Sequence, residues 1–155
     1  MNREILFRGK REDNGEWVEG LPLYGNIGNE ITEIQSRKTK SGKDCEDKDW
    51  YLNDGEIVPI ILQTLGQYIG KVDINGKKIF EGDILLINHR EWSVEEREIV
   101  EVKWCGNEGY PAFDIPKSST SGECNGLSLI NNCEDYSVEI IGNIYDNPEL
   151  LEAQP

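Results

Sequence analysis

Few residues in this sequence have the types and spacing that catalysis or metal binding requires. The four cysteines, Cys45, Cys105, Cys124 and Cys133, are scattered, and even the closest two are separated by eight residues. A structural zinc site wants its N and S ligands in close pairs, and no such pairing occurs. An even count in an exported chain would suggest disulfides; with no mark of export, the four read as reduced thiols of a cytosolic protein. His89 is the one histidine. It has no Ser or Cys neighbour in sequence, so a packing or surface role is expected rather than a nucleophile–base pair. Glu81-Gly82-Asp83 allows two readings. As paired carboxylates it could hold Mg²⁺, but that needs oxygen ligands converging from other segments. As a turn it needs only an acid that caps backbone N–H groups, and this reading is preferred. Gly-rich phosphate loops in a strand-to-helix setting are absent from the sequence. The sequence therefore assigns no catalytic, cofactor-binding or metal-ligating residue, and no enzyme activity or cofactor is expected.

The elements that would position any site are strands. Ile5-Leu6-Phe7-Arg8 and Trp17-Val18-Glu19-Gly20 flank Asn14-Gly15, a strong hairpin signal. Asn26 to Ile34 alternates weakly. From Ser36 to Asp49 there is almost nothing to bury, and an exposed arm is expected. The run Ile57 to Leu62 is apolar and β-branched, with Pro59 pointing to an edge or a strand start. A separate strand is read at Gln67 to Gly70, followed by a second Asn-Gly turn at Asn75-Gly76. Ile84-Leu85-Leu86-Ile87 has the length and composition of a buried strand. Val100, Val102 and Trp104 share one face of another. Tyr110 to Ile115 reads as a strand broken at Pro111, and Val138 to Ile144 as the last strand. Asn147 and Pro148 suit the N-cap and first position of a short C-terminal helical turn. These elements predict a mainly β fold in one domain over 1–155. It would comprise an N-terminal hairpin with its arm (1–56), a small barrel-like, SH3-like core (57–147) and a tail (148–155).

Charge narrows the function. Against 16 Lys+Arg stand 30 Asp+Glu, a net charge of −14. The aromatic residues Trp17, Trp50, Trp92, Trp104, Tyr24 and Tyr68 could line an oligonucleotide surface, as in nucleic-acid-binding SH3-like folds, but such surfaces pair with a basic groove. Core packing is the preferred reading, and direct nucleic-acid binding is not expected. No apolar run approaches the ~20 residues of a membrane span, and the start of the chain has no apolar signal segment, so neither membrane association nor export is expected. The acid is uneven: Ser118–Pro155 contains no Lys or Arg. A solvated surface explains this; a decoy that imitates DNA phosphates is the sharper alternative.

Four stretches carry a resemblance, counting Thr64–Ile84 as one. Arg3–Lys10 with Gly15–Gly20, then Thr64–Lys71 running into Asp73–Ile84, and finally Val138–Leu151 follow one another as in the YopX family, which this sequence resembles from end to end. The segments Ile27–Trp50 and Ile87–Cys133 are similar only loosely. The resemblance implies a bacteriophage or prophage protein of mainly β fold and supplies no activity and no catalytic residues. The expected role is a non-enzymatic module in the host cytosol that assembles with itself or binds a host protein. The arm at 36–49, with a basic half before an acidic half, is a candidate for self-association.

Overall fold

The computed structural model describes residues 4–24, 31–36, 57–106, 110–116 and 126–152. The chain divides into two compact units, Glu4–Gln67 and the residues from Tyr68 onward.

In the first unit, β1 (Phe7–Arg11) and β2 (Trp17–Tyr24) form the expected antiparallel hairpin, with Lys10 opposite Trp17. Backbone bonds from Arg11 to Glu16 (2.9 Å) and from Gly15 to Arg11 (3.0 Å) close its turn. β3 (Ile31–Ser36) pairs with β2, and β4 (Ile57–Val72) pairs with both β3 and β1. The sequence reading split β4 into two strands, but it runs through. The β1–β4 register shifts between Arg8 and Lys10. There the Thr64 hydroxyl accepts the Lys10 N–H at 2.8 Å and donates to the Ile61 carbonyl at 2.6 Å. A side chain thus satisfies backbone groups that the bulge would otherwise strand, and the strand need not end. Val18, Val58 and Ile60 are buried, with Phe7 and Leu65 packed against them. Of the expected arm, Ser36 ends β3; 37–49 lie outside the described residues.

The second unit takes the end of β4 and adds β5 (Lys78–Phe80), β6 (Asp83–His89), β7 (Glu98–Glu101), β8 (Lys103–Trp104), β9 (Phe113–Asp114), α1 (Gly126–Asn132), β10 (Tyr136–Asn143) and α2 (Glu149–Glu152). β6 lies between β10 and β7, all antiparallel; β8 pairs with β9, and β5 with the end of β4. The apolar run of β6 occupies the middle of its sheet, with Ile84, Leu85 and Ile87 fully buried. Val100, Val102, Ile115, Leu127, Ile130 and Val138 complete the core. Burying an Ile, Leu or Val contributes roughly 1.5–3 kcal/mol, so this cluster is the main source of stability here.

The protein is mainly β, built of antiparallel sheets with little helix. The expected barrel-like core is corrected: the sheets between Ile57 and Ile144 stay separate, and among the described residues they form no closed barrel. The reason lies at the outer edge of β10. Its Val138 carbonyl accepts the Ile74 N–H at 2.9 Å, and its Ile140 N–H donates to the Asp73 carboxylate at 3.2 Å. A turn, not a further strand, occupies that edge. The helix α1 went unread in the sequence because Gly126–Asn132 is a single short stretch, and the Leu127 amide in its first turn depends on a remote acid, as described next.

Candidate functional site

Three buried or nearly buried carboxylates in the second unit serve the backbone. Asp83, in the Glu81-Gly82-Asp83 turn, accepts the Phe80 N–H at 2.7 Å. Gly82 has φ +81°, and a Cβ there would meet the Tyr145 ring at 3.2 Å, so only glycine makes this turn unstrained. Asp114 accepts the Leu127 N–H of α1 at 2.8 Å through Oδ1 and the Tyr110 O–H at 2.7 Å through Oδ2. That carboxylate, followed by burial and the nearby Cys105 thiol, pushes the Tyr110 phenol well above its ordinary pKa. Among the described residues, no three His, Cys, Asp or Glu side chains converge as metal ligands would.

Asp73 is the third. Its Oδ1 accepts the N–H groups of Asn75 (2.9 Å) and Lys77 (2.8 Å), and its Oδ2 accepts that of Ile140. Burial opposes its ionisation, yet these three N–H groups together outweigh burial and hold the carboxyl below its ordinary pKa. The Asn75-Gly76 turn read from sequence is thereby clamped onto β10. Val72 ends β4 and Ile74 opens the turn that follows, so the inward Asp73 is flanked by two aliphatics that are 49% and 68% exposed.

Beside this tip lies an open groove of about 240 Å³. It is lined by Val72, Asp73 and Ile74, by Ile130 and Cys133, and by Tyr136–Val138. Tyr136 also joins an aromatic cluster: its ring is 4.7 Å from that of His89 and 5.8 Å from that of Trp92. His89 Nδ1 accepts the Glu91 N–H at 3.3 Å, so the lone histidine packs as expected. Chemically, the groove offers polar and apolar surface in about equal measure, one half-exposed thiol, and no acid–base pair.

The aromatic residues named in the sequence reading separate. Tyr68 is buried against Phe80, and Trp92 packs on the core. Trp104 is 49% exposed, edge-on to Phe113. Trp17 stacks under Arg8 at 4.6 Å. The side chains of Trp50 and Tyr24 lie outside what is described. The groove residues were not singled out in the sequence. Their one signal was the acid between two aliphatics, Val72-Asp73-Ile74, just before the Asn75-Gly76 turn.

Fold and groove together define a two-unit antiparallel β protein with a small open cleft in its second unit. A family model described as "YopX protein" matches residues 6–152, and the chain belongs to the YopX family. It is also similar to a solved structure, the crystal structure of protein EF1440 from Enterococcus faecalis. The identity is 25%, the TM-score 0.57, and the match covers 97% of this chain and 99% of that one. No curated protein matches. None of the described helices is long and apolar enough to cross a membrane.

Proposed function

We propose that this is a phage or prophage accessory protein of the bacterial cytosol that works by binding another protein, without chemistry of its own. The observation that carries the reading is the pair of exposed aliphatics, Val72 and Ile74, that flank the inward Asp73 at the end of β4. Leaving an isoleucine exposed forgoes roughly 1.5–3 kcal/mol that its burial would supply. Here the exposed position is fixed by three hydrogen bonds to Asp73, so a partner finds the surface preorganised and loses little entropy on docking. The groove's size agrees. At about 240 Å³ it falls below the roughly 300–1,000 Å³ of clefts that hold drug-sized ligands or cofactors. It suits one or two apolar side chains of a protein partner. The buried acids support a role without catalysis, since Asp73, Asp83 and Asp114 are engaged by backbone amides.

Affinity capture from the bacterium that carries the gene tests this, with wild type compared against Ile74→Glu and Trp104→Ala. A protein retained by wild type and Trp104→Ala but lost with Ile74→Glu supports groove docking. Equal capture by all three removes it. Light scattering run alongside distinguishes self-association: a wild-type oligomer that Ile74→Glu dissolves would make a second copy the occupant.

A further inference from the structure

We propose that Asn14-Gly15, in the turn of the β1–β2 hairpin, is a site of spontaneous deamidation promoted by the folded turn. The reaction is intramolecular. The Gly15 backbone nitrogen attacks Cγ of the Asn14 side chain and gives up its proton. A cyclic succinimide closes as the bond from Cγ to the side-chain nitrogen breaks, and that nitrogen leaves with the proton as ammonia. Water then opens the ring at either carbonyl, leaving aspartate or isoaspartate in the chain.

Asn-Gly occurs at 14–15, 75–76 and 125–126, the last of these beginning outside the described residues. The first two match in their attacking groups. Each glycine N–H donates to a backbone carbonyl at 3.0 Å, Gly15 to Arg11 and Gly76 to Asp73, and the two φ angles are +71° and +78°. They differ in the amide under attack. Asn14 Oδ1 accepts the Glu16 N–H at 2.9 Å, and Asn14 Nδ2 donates to Glu16 Oε2 at 3.1 Å. These partners fix which way the amide faces, since an N–H meets only its oxygen and a carboxylate only its nitrogen. The bond from the Glu16 N–H closes an Asx turn, which folds the side chain back over the Gly15 peptide and sets Cγ beside the attacking nitrogen. The same N–H faces the oxygen on which negative charge develops as the ring closes. Asn75 has neither aid. Its Nδ2 reaches Glu139 Oε1 on β10 at 3.5 Å, and among the described residues its Oδ1 accepts no hydrogen bond. Either product at position 14 adds a carboxylate beside those of Asp13 and Glu16 and removes the donor to Glu16. Isoaspartate also lengthens the backbone within the turn that sets Lys10 opposite Trp17. Deamidation therefore loosens the hairpin irreversibly and needs no second protein.

The test is incubation of the purified full chain at neutral pH, native and in urea, followed by peptide mapping. Electron-transfer fragmentation in the mass spectrometer separates aspartate from isoaspartate at each site. In the native protein Asn14 should convert about fivefold or more faster than Asn75, the rate equivalent of one exposed hydrogen bond. In urea, where neither turn persists, the two rates should converge. Asn14 should also convert at least as fast in the native protein as in urea, which separates promotion at Asn14 from protection at Asn75. Equal native rates, or a difference that persists in urea, would overturn the proposal. So would an Asn14 that converts more slowly folded than unfolded, since the turn would then only protect it.

Discussion

Replacing Asp73 is the sharpest probe of how the tip is held. Its carboxylate accepts three N–H groups at 2.8, 2.9 and 3.2 Å. Hydrogen bonds to a charged group contribute about 1.5–3 kcal/mol each, and a buried donor left unsatisfied costs about 1–3 kcal/mol. These figures do not add fully, because Asn75 and Lys77 are exposed and water can reach their amides. The Ile140 amide, on half-buried β10, is less easily rehydrated. Asp73→Ala should therefore destabilise the second unit by about 3 kcal/mol. Asp73→Asn keeps an acceptor for the turn but sets a second donor against Ile140, and should cost about 1–2 kcal/mol. Urea unfolding followed by Trp fluorescence measures both. The pH dependence has a definite sign. The native carboxyl is held below its ordinary value, so its contribution is complete above the unfolded pKa of about 3.9 and is lost as pH falls through the native one. The gap between wild type and Asp73→Asn should be constant near neutrality and close in that acid window. An Asp73→Ala protein within about 0.5 kcal/mol of wild type, less than a single charged hydrogen bond contributes, would refute the clamp.

Other outcomes follow from the same fold. Asp114→Ala leaves the buried Leu127 amide without its acceptor and should cost about 1–3 kcal/mol, with hydrogen exchange accelerated first in α1; Tyr110→Phe should flatten the loss of stability at alkaline pH, since a raised phenol pKa gives a contribution present below about 10 and lost as pH rises through the native value. Gly82→Ala forces an L side chain into φ +81° against Tyr145 and should cost at least about 1–2 kcal/mol, whereas Gly76→Ala, at φ +78° with open space, should cost less by equilibrium unfolding. Iodoacetamide should label half-exposed Cys133 well before buried Cys105, as peptide mapping by mass spectrometry would record; equal rates would contradict the packing around Cys105.

Much of the fold was legible because its signals are local. Asn75-Gly76 marks a turn by the backbone it demands, and Gly76 takes φ +78°. The β6 run from Ile84 to Ile87 is apolar throughout because its sheet buries both faces. Glu81-Gly82-Asp83 reads as a capped turn, and Asp83 caps Phe80. Features that needed a distant partner were not legible. The continuity of β4 depends on Thr64 meeting a bulge 54 residues away. The start of α1 depends on Asp114, and the separation of the sheets depends on Asp73 reaching Ile140, 67 residues on. The groove was hidden for the same reason. Val72 ends β4 and Ile74 opens the turn after it, and the three amides that hold Asp73 inward come from Asn75, Lys77 and the distant Ile140.

Site-specific photocross-linking tests the docking claim most directly. Benzoylphenylalanine placed at position 74, and separately at the equally apolar surface position 104, is activated in the living bacterium that carries the gene. The account predicts a discrete cross-linked protein at position 74 that is missing at 104. No adduct at 74, or the same adduct at both positions, would contradict it.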